Sequence, residues 1–260
     1  MNECWITFDL DGTLMQNPFV EWVFPEIDEI VSKAANRIVD VQSAMFSEHL
    51  NRMLQKKTVE AYDWDDILKQ FLTDHGIKCE VNIEELVKKH SVFPKIKLLE
   101  DNILEVLEQL KKSGYRLAVI TNGYAKYQQP VVEYLQLSGL FDSFITPEKG
   151  NCAKPDSKIV ESLMKKGQVI AHVGDRVDHD VYLATQINIK SVFIYRNLSK
   201  RLQNISPYER NKDLEFLNLY KQKWLKETGL KTSEIPDLPI PDYVIYSIRE
   251  LVDLFDYISI

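Results

Sequence analysis

Three short apolar runs in this chain each end in polar residues of a type that could act on phosphorus. Residues 4–8 (CWITF) lead into Asp9-Leu10-Asp11-Gly12-Thr13, 117–120 (LAVI) into Thr121-Asn122-Gly123, and 170–174 (IAHVG) into Asp175, with Asp178 and Asp180 close behind. Clustered carboxylates repel one another unless a cation sits between them. A hard divalent ion with oxygen ligands and several waters, Mg2+, fits best, and magnesium brings phosphate. Thr121 offers a hydroxyl, and the backbone N–H groups of the TNG turn offer donors to phosphate oxygens. Lys154, in CAKPD, would balance the remaining charge, with Pro155 biasing its backbone toward an extended form. Beside magnesium and a lysine, a carboxylate stays ionised and can attack phosphorus to give an aspartyl-phosphate. A second carboxyl nearby could protonate the leaving oxygen and then deprotonate water.

These groups meet only if the three runs are neighbouring strands of one sheet. After Pro94 the pattern alternates: helix 102–112, strand 116–120, helix 128–137, a brief strand at 144–145, helix 156–166, strand 169–173, helix 180–186 and strand 191–195. A strand at 243–245 and a helix at 248–255 follow. Continuous apolar strands alternating with helices predict an α/β fold with a parallel sheet covered on both faces. In such sheets ligands bind at the carboxyl ends of the strands. Between the first strand and Pro94, apolar spacing predicts one helix from Ile27 to Leu54, a second from an Asp63 cap to Gly76, and a third near Asn82. The aromatic and Met stripe there reads as core. The organisation is therefore a core at 1–15 and 96–260 with a helical insertion at 16–95. A further charged insertion at 198–241 holds a helix at 213–226 and the extended IPDLPIPD; it reads as peripheral cover or interface ahead of a lid.

FDLDGTL, TNG, the lysine of AKPD and VGDRVDHD resemble, in order, the four motifs of the haloacid dehalogenase-like (HAD) hydrolase superfamily. The resemblance covers residues 1–15 and 96–197, and DxDGT at the end of the first strand is its most specific part. It implies a Rossmann-like core and a helical type 1 cap at 16–95. It further implies that Asp9 is the nucleophile and that Asp11 is the general acid/base. Thr121, Asn122 and Gly123 would hold the phosphoryl group, and Lys154 would neutralise nucleophile and phosphate. Mg2+ would be held by Asp9, the Asp11 backbone carbonyl and Asp175, with Asp180 supporting it directly or through water. Relatives that act as dehalogenases typically lack the second aspartate, so Asp11 favours phosphate monoesters. The implied activity is Mg2+-dependent hydrolysis of a small phosphorylated metabolite under a closing cap. A phosphomutase or other phosphoryl transferase, and a non-catalytic binding protein on the same scaffold, are the alternatives.

Arg176 stands where many relatives have a small residue, and His179 where Asn is common. Arg176 is expected to pair with a nearby carboxylate or to bind a substrate anion. His179 is expected to accept a supporting hydrogen bond rather than to act in catalysis. His49 and Arg52, one turn apart, read as a solvated helix face rather than as substrate contacts. His172 reads as a satisfied core histidine, and His75 and His90 fall at helix ends.

Composition narrows the partners. The 260 residues are 45% hydrophobic and 27% charged, which excludes a disordered chain. A net charge of −7 argues against nucleic acid as a partner. No apolar run approaches the ~20 residues of a membrane span, so no membrane partner is expected. The first residues lack the order of a signal peptide, and three scattered cysteines with no CxxC read as free thiols. The expected location is the cytoplasm.

Overall fold

The apolar runs pair as a single sheet in the computed structural model, which describes residues 3–230 and 237–257. In chain order the strands are β1 (Glu3–Phe8), β2 (Met15–Gln16), β3 (Lys97–Leu98), β4 (Arg116–Ile120), β5 (Ser143–Ile145), β6 (Gly167–Gly174), β7 (Lys190–Ile194) and β8 (Tyr243–Ile245). Six of them form the sheet in the order β5-β4-β1-β6-β7-β8, and every adjacent pair is parallel. This is the parallel α/β sheet that the alternation predicts and the Rossmann-like core that the resemblance implies. Side chains such as Ile6, Phe8, Leu117, Val119, Ala171 and Val173 are buried, as a sheet covered on both faces requires.

β1 lies between β4 and β6, so the connections leave it in opposite directions. Phe8 is level with Val119 on one side and with Val173 on the other. The polar residues that follow these three strands therefore emerge side by side at one edge. A crevice opens there because the strand order reverses at that point.

Four helices lie between β2 and β3: α1 (Phe24–Ala35), α2 (Val41–Leu54), α3 (Trp64–Asp74) and α4 (Ile83–His90). β2 and β3 pair antiparallel, so the chain leaves for these helices and returns from them at one place. The single helix expected from Ile27 to Leu54 is in fact two. Asn36 adopts a left-handed conformation at φ 52° and ends α1. Asp40 caps α2, accepting from the Ser43 N–H, and the Asp28 carboxylate accepts from the N–H groups of Val41 and Gln42. Short polar side chains satisfy the backbone locally and break the helix while leaving its apolar phase intact. Asp63 and Asn82 cap α3 and α4 as expected.

Three later helices differ from the sequence spans. The helix after TNG starts earlier, as α6 (Ala125–Tyr134), after α5 (Ile103–Lys112). The 156–166 stretch is a 3-10 turn, Ser157–Val160, followed by the short helix Glu161–Met164. The 180–186 stretch opens with a wide π turn, Val177–Val181, before the helix Tyr182–Gln186.

The 198–241 insertion holds the helices Lys200–Gln203, Pro207–Arg210 and Leu214–Thr228. Phe216, Tyr220 and Trp224 face Phe193 of β7, Val244 of β8 and the 177–181 turn, forming a second small core. Of the IPDLPIPD run, residues 235 and 236 lie outside the described residues. Among the described residues no helix is long and apolar enough to cross a membrane.

Arg210 ties this insertion down. Its side chain is 1% exposed and donates to the carbonyls of Leu202, Gln203 and Val244 and to both carboxylate oxygens of Glu250. Arg210→Ala removes all of these donors and leaves the partly buried Glu250 carboxylate without its cation, with the Tyr246 N–H still donating to it, which should cost about 3 kcal/mol or more. Urea unfolding measures it; a loss below about 0.5 kcal/mol, the range of ordinary surface changes, would contradict the anchoring role.

Candidate active site

Asp9 follows β1 directly, and its N–H is bonded to Val173 O at 2.9 Å. Its carboxylate is buried. One oxygen accepts from Lys154 Nζ at 2.6 Å and the other from Thr13 Oγ1 at 3.1 Å. The same Lys154 Nζ donates to Asp180 Oδ1, also at 2.6 Å. Asp180 Oδ1 further meets His172 Nε2 at 3.0 Å, and Oδ2 accepts from the Arg176 N–H. His172 Nδ1 meets Thr7 Oγ1 at 2.8 Å. His172 is thus satisfied inside the core, and it also fixes the carboxylate that fixes Lys154.

Asp11 is held from α6. Gln128 Nε2 donates to its Oδ2 at 2.6 Å, while Oδ1 is buried without a partner. Gly12 sits at φ +84°, and a Cβ there would come within 2.8 Å of Asp175 Oδ1. Only glycine meets both demands. Arg196 braces the turn from outside, donating to the carbonyls of Gly12 and Thr13.

Thr121 Oγ1 accepts from the Gly123 N–H, which shapes the turn at the end of β4. The Asn122 side chain brackets the lysine backbone: Oδ1 accepts from Lys154 N at 2.7 Å and Nδ2 donates to Lys154 O at 3.0 Å. Asn122 Nδ2 also donates to Tyr62 Oη at 3.1 Å, linking the turn to the helical insertion. Asp175 follows β6; its Oδ2 accepts from Lys223 Nζ at 3.3 Å and its Oδ1 is buried without a partner.

The electrostatics follow from this crowding. Burial pushes Asp9 up to about 7, against the pull of Lys154 and with the repulsion of Asp180 and Asp175. Burial also raises Asp11, opposed by the bond from Gln128, and raises Asp175, opposed by Lys223. Burial works against ionised Asp180 too, but Lys154 and His172 overcome it and hold the carboxyl well below its usual range. Lys154 is raised, since Asp180 and Asp9 outweigh its desolvation. One ammonium therefore serves two carboxylates, and Lys223 is shared between Asp175 and Glu227 at 3.0 Å.

Negative charge remains in excess, and ligand oxygens of Asp9, Asp175 and Asp180 lie within 4.8 Å of one another. With the orphaned oxygen of Asp175, this all-oxygen set fits a hard divalent cation. Both oxygens of Asp180 are engaged by other groups, so it fits a supporting place better than a direct one. The carboxylate of Asp11 lies outside this cluster.

Several sequence expectations need correction. Arg52 does not belong to a solvated face: it is 5% exposed and bonded to Glu48, Glu60 O, Gln70 and Asp66. His49 is partly buried and lines the cavity above the carboxylates, with Nδ1 on Ala61 O at 2.6 Å. The aromatic and Met stripe divides: Met45 is buried in the core, but Phe46 and Met53 also line the cavity. The 214–228 helix is more than remote cover. Its Glu227 accepts from the Val177 N–H at 2.9 Å, its Lys223 reaches Asp175, and its end borders the cavity. Arg176 makes the expected carboxylate pair, gripping Asp178 with two bonds at 2.7 and 3.0 Å. His179 is partly buried, and its desolvation holds it neutral, down to about 4; its Nε2 stands 3.5 Å from Tyr62 Oη. Sequence reasoning missed Gln128, Tyr62, Lys223 and Glu227. No local signal marks them, since each meets the site through a residue distant in the chain.

A family model described as haloacid dehalogenase-like hydrolase matches residues 5–187. The chain belongs to this family. It is a hydrolase with the family's core. It is 28% identical over 227 residues to a glyceraldehyde 3-phosphate phosphatase of Methanocaldococcus jannaschii, covering 83% of this chain and 96% of that one. It is 26% identical over 204 residues to a phosphoglycolate phosphatase of Mesorhizobium japonicum, covering 72% and 81%. Among solved structures, a HAD phosphatase from Thermococcus onnurineus superposes with a TM-score of 0.68 at 24% identity, over 98% of both chains. The L-2-haloacid dehalogenase of Xanthobacter autotrophicus superposes at 0.60 and 16% identity, over the full length of both. These two likenesses concern the fold.

Gly12→Ala tests the tight approach of the first turn to Asp175. The added methyl must displace one or the other, and a misplacement of this kind costs on the order of 10²-fold in turnover. Steady-state kinetics beside circular dichroism checks this; an Ala variant of near-normal rate would show that the approach is dispensable.

Proposed function

We propose that this chain is a Mg2+-dependent phosphatase that hydrolyses a small phosphorylated metabolite through an aspartyl-phosphate on Asp9. The observation that carries the reading is the carboxylate of Asp9, buried, bonded to Lys154 at 2.6 Å and sharing with Thr121 the lining of a cavity of about 880 Å3. A second carboxyl, Asp11, lines the same cavity with one oxygen tied to Gln128 and the other without a partner. The phosphatase names of the relatives from M. jannaschii and M. japonicum support it.

In this reading Lys154 opposes the burial that raises Asp9, favouring its ionised form, and faces the phosphate oxygens. Thr121 Oγ1 and the N–H groups of Asn122 and Gly123 hold the phosphoryl group. An Asp9 oxygen attacks phosphorus, the ester P–O bond breaks, and Asp11 gives its proton to the leaving oxygen. Burial favours the protonated carboxyl that this step needs. Asp11 then takes a proton from water, whose oxygen attacks the aspartyl-phosphate; inorganic phosphate leaves and Asp9 is restored. Asp9, Asp175 and the Asp11 carbonyl would hold Mg2+, with Asp180 in support; when bound, the ion neutralises developing charge on the phosphoryl oxygens.

The helices at 16–95 act as a cap over the core at 1–15 and 96–260, excluding water and reading the leaving group. Free thiols at Cys4, Cys79 and Cys152 support a reducing compartment, the cytoplasm.

Phosphate release with and without metal is the primary test. Asp9→Asn should lose turnover with its fold intact, since an amide is no nucleophile; comparable activity would refute the assignment. Asp11→Asn should slow poor leaving groups more than p-nitrophenol, and equal losses on both would argue against an acid role. EDTA should stop release and Mg2+ restore it, with Ca2+ much less effective because it prefers more ligands at longer bonds; full activity in EDTA would remove the metal from the account.

A further inference from the structure

The cavity above Asp9 is built for more than a phosphate and a two- or three-carbon polar fragment. Its far wall is aromatic. Phe24, Phe46 and Trp64 form an edge-to-face triad with ring centroids 5.1–5.7 Å apart, and His49 lies 5.3 Å from Trp64. His49 adds no charge: burial lowers it, and its Nδ1 is spent on Ala61 O. At the mouth, Val20, Leu50, Leu54 and Leu230 are 52–86% exposed. Large apolar side chains left in water around a concave site mark a surface that something apolar covers.

The charges agree with the shape. A substrate carrying a carboxylate beside its phosphate needs a second cation. Among the described residues lining the cavity, Lys154 is held by Asp9 and Asp180, and Arg176 is gripped by Asp178. Lys226 is exposed on the rim. The two further carboxylates of the lining, Asp178 and Glu227, are themselves paired with Arg176 and Lys223 and leave neither of those cations free.

We propose that the natural leaving group is an uncharged, largely apolar alcohol of at least aromatic-ring size, seated against Trp64, Phe46 and Leu50. This rests on the phosphatase reading above and departs from the small polar leaving groups in the names of the relatives. The phosphoryl end fixes the ester at Asp9, and Tyr62, bonded to Asn122 and packed 5.0 Å from His49, joins the phosphate turn to the aromatic wall. Burial of a ring against that wall adds binding that a glycolate or ethyl group does not have.

The test uses esters of primary alcohols, so that intrinsic reactivity is matched: ethyl phosphate, phosphoglycolate and 2-phenylethyl phosphate with Mg2+. The expected kcat/KM for 2-phenylethyl phosphate exceeds that for the other two by on the order of 10²-fold. Trp64→Ala should shrink this ratio about tenfold or more. Leu50→Asn, at an exposed position where folding is not at risk, should shrink it as well. Equal or faster turnover of ethyl phosphate or phosphoglycolate would overturn the inference and leave the phosphatase reading standing. A phosphoglycolate preference that Lys226→Ala abolishes would overturn it in the same way. A preference for the phenyl ester unchanged in both wall variants would overturn the assigned seat. No release from any ester by the folded, Mg2+-loaded protein would overturn the phosphatase reading and this inference together.

Discussion

One ammonium group organises the reactive end of this molecule. Lys154 is buried between Asp9 and Asp180, 2.6 Å from each, in a place where an unpaired charge of either sign would be costly. Each partner justifies the others. The lysine keeps its proton because two carboxylates face it. Asp180 stays ionised because Lys154 and His172 reach it. Asp9 carries the remaining strain, with burial and two neighbouring carboxylates pushing it up to about 7. A group poised in this way responds strongly to one more positive charge, which a divalent ion would supply.

The fold exists in this form to keep that cluster together. Parallel pairing of β1 with β4 and β6 brings three polar turns, which begin at Asp9, Thr121 and Asp175, to one edge although they are far apart in the chain. Asn122 then grips the Lys154 backbone on both its N–H and its carbonyl. The same Asn122 reaches Tyr62, so the 121–123 turn, the lysine and the helical insertion share one polar hub. On the opposite side, Lys223 and Glu227 of the 214–228 helix meet Asp175 and the turn that follows it. Both insertions thus touch the reactive end, one through aromatic rings and the other through charge.

Much of this was legible in the sequence, and the limits are physical. Continuous apolar strands ending in Asp9, Thr121 and Asp175 reveal a parallel sheet and its reactive edge, because burial on both faces leaves a local signature. The break at Asn36 was hidden, since α1 and α2 keep one apolar phase across it while a single left-handed residue turns the chain. Gln128 was hidden because its bond to Asp11 spans 117 residues, and nothing local marks which face of α6 meets the first turn. Arg52 and His49 were misread for a related reason. Polar residues on a helix look solvated until the packing partner is known, and here α3 and the 60–62 turn cover them.

The central claim is that Asp9, and no other group, receives the phosphoryl group. A single turnover quenched in acid, digested and sequenced by mass spectrometry tests it most directly. The account predicts a phosphoryl adduct on Asp9 that appears before inorganic phosphate is released. Phosphate accumulating through full turnover with Asp9 never modified, or a phosphoryl group found on a different residue, would contradict it.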